Sequence, residues 1–291
     1  MIELPEAARI ARQITRTLKG RRIVQVIRGN TPHKWAFYSR PTEEYARIMT
    51  GKRIGDSRAV GSLIVTDIRP GHALVLGGGG ERIIHHKSAA TLPAKHQLLL
   101  RFDNSTYLTV NVQGWGSVQL FDPEELARHT CVAGKGFMPT DRAFTLAYLG
   151  KLIDAIAADD PRSVKFFLIS KPGVLGVGNG YLQDICFRAR IHPRTRIVTL
   201  SGEQRKVLYK SIVSTIRQAM KQNGRDDEVD LFGKPGAYHR ILSSRAAGRP
   251  CPVCQEKIVR ESFLGGAIYF CPKCQPAPPE APSHEDRGRT S

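Results

Sequence analysis

The chain has 291 residues, 41% of them hydrophobic, and 44 Lys and Arg against 26 Asp and Glu give it a net charge of +18. That length holds one large domain or two of ordinary size, and no apolar run approaches the ~20 residues of a membrane helix. A membrane protein, a secreted disulfide scaffold and a mostly disordered chain are therefore excluded. The charge exceeds the ~2–8 that solubility asks of a small domain and points to a polyanionic partner, nucleic acid first.

The charge is unevenly spread. Residues 1–121 carry +10, residues 122–160 carry −3, residues 161–275 carry +12 and the tail from 276 carries −1. Two basic bodies around an acidic middle suit a clamp on a duplex, because each neutralised phosphate releases counterions. The start, Met1-Ile2-Glu3-Leu4-Pro5-Glu6, is acidic and lacks the apolar stretch of a secretory signal, so a cytoplasmic, nucleoid-associated protein is expected.

Residues 5–19 read as an amphipathic helix, with Leu4, Ala7, Ile10, Ala11, Ile14 and Leu18 at helical spacing, Pro5 in the first turn and Gly20 as the stop. Residues 22–28 read as a strand, and 42–49 as a short helix ended by Gly51. From Lys52 to Phe121 the texture is β, with strands expected at 63–65, 73–76, 83–84, 98–100, 108–112 and 117–121. Short strands at this spacing predict a sandwich or barrel. Past Asp122 the pattern turns helical, at 146–156, 164–169, 179–189 and 201–222, the last with the capping-box pair Ser201 and Gln204 and with Gly224 as its stop. The tail 276–291 is Pro-rich and polar, and disorder is expected there.

Four of the six cysteines form two C-x2-C pairs, Cys251 with Cys254 and Cys271 with Cys274, sixteen residues apart. This spacing predicts two knuckles joined by a hairpin around one tetrahedral zinc. Four protein ligands leave no open position, so the zinc is expected to be structural. Cys131 and Cys186 read as ordinary loop or core thiols.

Gly173-Val-Leu-Gly176-Val-Gly178-Asn179-Gly180-Tyr181 opens a helix. The amides of such a turn make an anion site, although the spacing matches neither G-x-G-x-x-G nor the P-loop. Taken with the start Glu3-Leu4-Pro5-Glu6, the continuation to Ile191-His192-Pro193 and the cysteine hairpin, this order of motifs resembles the formamidopyrimidine-DNA glycosylase and endonuclease VIII family over residues 1–275. The resemblance implies an α+β architecture of two lobes: an N-terminal β-sandwich with a leading helix (1–121), a linker (122–145), a helix–two-turn–helix lobe (146–240) and a zinc-finger hairpin (241–275). It implies double-stranded DNA, damaged or abasic, in the cleft between the lobes, and a monomer.

Members of that family use the α-amine of the mature N-terminus, normally proline, to attack the sugar C1′, with an adjacent carboxylate assisting. The chemistry needs an amine that is neutral near pH 7 beside a positioned acid, and an α-amine, with a pKa of about 7.7–8.0, suits this better than lysine. The resemblance therefore places the catalytic group at Ile2, Glu3 and Glu6. Ile2 stands where the family has proline. Its bulk argues against removal of Met1, and a retained Met1 would shift the amine by about 3.8 Å. Glu3 as a simple helix-start charge is the structural alternative.

Further departures fall at the expected DNA contacts. Gly61 takes the place of a hairpin lysine, with Arg58 nearby; Gly77 to Gly80 replace a loop that carries a void-filling methionine; and Gln113-Gly-Trp115-Gly replaces a segment rich in Arg and Phe. Trp115 reads either as a wedge between bases or as a core residue. Gly266 stands where the zinc hairpin would carry a clamping arginine, leaving Arg260 and Lys257 close by. Asn179, with Gly176 and Gly178, matches the phosphate-gripping turn, and Lys165 matches a lysine near the lesion. Residues 225–238 give no readable specificity. Two readings stay open on this scaffold, a DNA glycosylase with abasic-site lyase activity and a binder of damaged DNA that does not cut. A zinc-ribbon RNA binder explains the charge and cysteines but not the chain start.

Overall fold

The computed structural model describes residues 1–134, 136–170 and 173–278. The expected disordered tail from 279 onward and the side chain of Cys131 lie outside the described residues. The fold is α+β and separates into two compact units, one formed by residues 1–144, 174–180 and 213–240 and the other by 145–173, 181–212 and 241 onward. Among the described residues no helix is long and apolar enough to cross a membrane.

The first unit is a β-sandwich with a leading helix. Helix α1 (Leu4–Leu18) buries Ala7, Ile10, Ala11, Ile14 and Leu18 on one stripe, and Gly20 takes a positive φ of 83° just past its end, the usual glycine stop. One sheet orders β1 (Ile23–Ile27), β7 (Leu98–Phe102), β8 (Tyr107–Val112) and β6 (Glu81–His86); the other orders β2 (Ala36–Tyr38), β9 (Gly116–Phe121), β5 (His72–Gly77), β4 (Leu63–Arg69) and β3 (Arg53–Val60). All pairings are antiparallel except β2 with β9. A single core takes Ile83, Leu98, Leu100 and Val110 from one sheet and Ile54, Ile64, Leu74, Leu76 and Leu120 from the other, and the apolar stripe of α1 joins it. Helix α2 (Thr42–Met49) adds Tyr45 and Met49. The segment 122–145, expected as a linker, carries two short helices, α3 (Pro123–Arg128) and α4 (Thr130–Ala133).

The second unit holds α5 (Leu146–Asp154), α6 (Val164–Ile169) and most of α7 (Asn179–Ala189), and α8 (Gly202–Lys221) passes from it into the first unit. Helix α6 is tied to the loop after α7 by Val164 N–H to the Thr195 carbonyl, at 2.7 Å, and Lys165 N–H to that of Pro193, at 3.0 Å. The hairpin β10 (Val259–Phe263) and β11 (Gly266–Phe270) completes it. Gln183 of α7 donates to the Ala267 carbonyl and accepts from the Tyr269 amide, which fixes the hairpin to that helix.

Candidate active site

The chain start is built into the sandwich. Ile2 is 2% exposed and belongs to the main core. Its peptide N–H donates to the Gly79 carbonyl at 2.9 Å, Gly80 N–H donates to the Trp115 carbonyl at 2.8 Å, and Gln113 N–H returns to Gly80 at 2.8 Å. The tetraglycine loop is thus a backbone relay between residue 2 and the loop of Trp115. A Cβ on Gly80 would lie 1.9 Å from the Gln113 carbonyl oxygen, so the close approach requires glycine. Glu81 holds the loop from beneath: its carboxylate accepts from Gly79 N–H at 2.9 Å and Ser117 N–H at 2.7 Å. Burial pushes the Glu81 carboxyl above the usual carboxylate value, against those two amides.

Glu3 is 1% exposed, and its two oxygens accept from Gly178 N–H at 2.6 Å and Gly180 N–H at 2.8 Å. The anion held at the start of α7 is therefore the protein's own Glu3. Gly178 and Gly180 are glycines for that reason, since a Cβ at either would fall 2.8 Å or less from a Glu3 carboxyl atom. Gly176, at φ 88°, accepts from Leu4 N–H at 2.9 Å, and a Cβ there would strike the Leu4 Cβ at 2.5 Å. Burial raises the Glu3 carboxyl above its ordinary value; Arg225 and the two amides oppose the shift, and nearby Glu6 adds to it. Glu6 accepts from the peptide N–H of Glu3 at 3.0 Å and from that of Arg225 at 2.9 Å.

Arg225 is the hub. Its buried guanidinium lies 3.0 Å from Glu3, 3.4 Å from Asp227 and Glu228 and 3.6 Å from Glu6, and it donates to the Met1 carbonyl. The Met1 amine is ion-paired with Glu228. Asp230 anchors the same segment, pairing with Arg9 at 2.5 Å and accepting from Phe232 and Lys234 N–H. Arg225, Glu228 and Glu81 were not legible as site residues: charged residues in an irregular segment, or one glutamate opening a strand, carry no spacing signal.

The other expected contacts separate. Arg58 is exposed on β3, 3.6 Å from Asp67. Gly61, at φ 59°, packs on Leu175 and Gly176, where a Cβ would meet Leu175 at 2.8 Å. Trp115 is 49% exposed, which removes the core reading. Trp35, which sequence reasoning passed over, is 52% exposed, and its carbonyl accepts from Gly116 N–H at 2.9 Å. Asn179 opens α7 beside the Glu3 amides and is half-buried. In the second unit Arg260 is exposed on β10. Lys165 is 1% exposed and donates to the Phe263 carbonyl at 2.5 Å, with that of Gly266 at 3.5 Å. It is neither a solvated charge nor exposed for ligand contact, but a brace under the hairpin turn. Burial lowers its pKa, and Arg194 adds to the shift.

The sulfurs of Cys251, Cys254, Cys271 and Cys274 all lie within 4.8 Å of one another, with near pairs at 3.4, 3.5 and 3.9 Å. A tetrahedron with metal–sulfur bonds of about 2.3 Å has sulfur–sulfur edges of about 3.8 Å, so the donor set fits one tetrahedral cation. Cys186 is buried in α7, and burial pushes its thiol up to about 12, leaving it an unreactive core residue.

Comparison with known proteins matches residues 1–131 to the formamidopyrimidine-DNA glycosylase N-terminal domain and residues 136–229 to the formamidopyrimidine-DNA glycosylase H2TH domain. A formamidopyrimidine-DNA glycosylase of Methylococcus capsulatus is 31% identical over 280 residues, covering 94% of this chain and 100% of the relative. The chain also superimposes on the Lactococcus lactis Fpg in complex with DNA containing an abasic site, with a TM-score of 0.81 at 20% identity, over 94% of this chain and 100% of the other. The MutM (Fpg) protein of Thermus thermophilus gives 0.79 at 21% identity, over 95% and 100%.

Proposed function

Since this chain belongs to the formamidopyrimidine-DNA glycosylase family, we propose that it is a DNA repair enzyme, a glycosylase with abasic-site lyase activity that removes oxidised bases from double-stranded DNA. The observation that carries the reading is Glu3: a carboxyl buried two residues from the chain's amine, aimed by the amides of Gly178 and Gly180 and by Arg225. Burying a carboxylate is costly unless it is paired, and here two amides and one guanidinium fix Glu3 beside the chain start.

The arrangement performs the reaction in three steps. The N-terminal amine, in its unprotonated form, forms a bond to C1′ of the damaged nucleotide as the bond from C1′ to the base breaks; the base leaves with that electron pair and takes up the proton that the attacking nitrogen sheds. Proton transfer to the ring oxygen O4′ opens the sugar to a protonated imine, and Glu3 supplies the proton. Burial raises its pKa above the ordinary carboxylate value, the direction that favours an acid over a base role. Transfer of a C2′ proton to water then sends its electron pair toward C3′, the C3′–O bond breaks, and the 3′ phosphate leaves with that bond's electrons, cutting the strand. Glu6 acts behind Glu3, on its peptide N–H and on that of Arg225. The four hairpin cysteines hold one zinc, which supplies folding energy to the second unit and no reaction step.

The DNA-contacting set proposed with this reading is Asn179, Arg58, Trp115 and Arg260 on exposed or half-buried positions, with Gly176 and Gly178 shaping the turn. The working division is 1–121 for the catalytic sandwich, 146–240 for the helix–two-turn–helix and 241–275 for the zinc finger, in a monomeric, nucleoid-associated protein. Borohydride trapping on abasic and oxidised duplexes, combined with intact mass, tests it. A covalent adduct at the first residue, whichever residue the mass identifies, supports the enzyme. Absence of both adduct and nicking on either substrate overturns it.

A further inference from the structure

We propose that Arg225 is the positioning residue of this site, a role that rests on the reading above: its guanidinium ties the Glu3 carboxylate to the backbone of the first residue. One face of the fork meets Glu3 Oε1 at 3.0 Å while another nitrogen of the same group donates to the Met1 carbonyl. The acid and the residue that carries the amine are thereby held by one rigid plane. A lysine ammonium is a point charge and cannot span both.

The surroundings are shaped for this group. Gly180 lacks the Cβ that would stand 2.5 Å from both the Arg225 guanidinium and Glu3 Oε1. Gly224, at φ 87°, turns the chain from the end of α8 into the site, and a Cβ on it would press on Glu6 at 2.8 Å. The Arg225 peptide N–H donates to Glu6, so Glu6 holds its main chain while Glu6 and Glu3, at the start of α1, hold its side chain. Four carboxylates, Glu3, Glu6, Asp227 and Glu228, face this one guanidinium, and Glu228 also faces the Met1 amine. Without the cation, buried Glu3 and Glu6 would confront each other uncompensated.

The test uses the full chain with Arg225→Met and Arg225→Lys. The first measurement is titration of the Glu3 carboxyl by carbon-13 NMR without DNA, assigned by loss of its signal in Glu3→Gln. Removing the guanidinium should move the Glu3 curve up by about one unit or more, and lysine should return it toward wild type. The second is the borohydride-trapped adduct on abasic duplex: Arg225→Met should form it roughly 100-fold more slowly, and Arg225→Lys should recover only part of that rate, with DNA affinity within about threefold of wild type in both. A folded Arg225→Met protein with an unmoved Glu3 curve overturns the proposal, as does trapping at the wild-type rate. Where Arg225→Met does not fold, Arg225→Lys decides, and an unchanged adduct rate in it overturns the role. If wild type traps nothing, the catalytic reading falls while the titration still decides whether Arg225 governs Glu3.

Discussion

The peptide nitrogen of Ile2 donates to the carbonyl oxygen of Gly79 at 2.9 Å, so the second residue is locked to the tetraglycine loop by backbone while its side chain enters the sandwich core. The Met1 amine, in contrast, sits at the exposed rim with Glu228. Substituting Ile2 by Ala deletes three buried carbons, and the expected cost is about 2–4 kcal/mol of unfolding free energy, read by urea denaturation. A loss below about 0.5 kcal/mol would show that the Ile2 side chain is not a core element.

Lys165 gives a second contrast. A phosphate contact contributes to the salt dependence of DNA binding, and removing one lowers the slope by about 1. Here Nζ is spent on the carbonyls of Phe263 and Gly266. Lys165→Met is therefore expected to leave the salt slope unchanged and to lower the melting temperature, because the carbonyls of Phe263 and Gly266 lose their donor. A reduced slope at unchanged stability would return Lys165 to the DNA.

These two residues also mark what the sequence could reveal. Helices α1, α2, α6 and α7 were legible within a residue or two, because apolar spacing, Pro5 and the glycine stops are local signals. The cysteine cluster was legible because ligand spacing is chemistry. Strand β2 was not, being three residues long and paired in parallel with β9 from far along the chain. The glycine-rich turn was legible as an anion site, but the anion turned out to be Glu3, 175 positions away for Gly178. The Arg225 cluster was invisible for the same reason: long-range charge pairing leaves no periodicity.

Glu81 makes a pH prediction. Its folded pKa is raised above the ordinary glutamate value by burial. The folded state therefore binds that proton more tightly than the unfolded chain. The stability linked to it is full below the ordinary value of about 4.3 and is lost as pH rises through the raised value. Relative to wild type, Glu81→Gln should gain stability between pH 4 and pH 7.5, measured as the change in the difference between their urea midpoints. A difference that stays constant over that range would contradict a raised Glu81 pKa.

The cysteine cluster packs against Phe187, Leu242 and Ile258, so losing its cation should loosen more than the hairpin. Cys254→Ser is expected to lower bound zinc from about one per chain toward zero and to weaken DNA binding, as measured by metal analysis and by titration of labelled duplex. Unchanged zinc content in the variant would sink the metal assignment.

The chain has two tryptophans, and both belong to one corner of the sandwich. Trp35 and Trp115 each precede by one residue the register pair Ala36 and Gly116 that joins β2 to β9, and both are about half exposed. The Trp115 carbonyl is one step of the backbone relay from the Gly79 carbonyl that holds Ile2, and Lys34 stands 5.1 Å from the Trp35 ring. Exposed rings beside a cation suit base stacking, which contributes about 1–3 kcal/mol per base. Because no other tryptophan interferes, tryptophan emission, excited at the red edge where the eight tyrosines do not absorb, reports on this corner alone. Abasic duplex is expected to quench it, and Trp115→Ala should lose part of the quench and weaken binding by roughly tenfold, the low end of that range. Emission that stays unchanged at saturating abasic duplex would show that DNA engages the protein elsewhere, and would leave Trp115 without a role in binding.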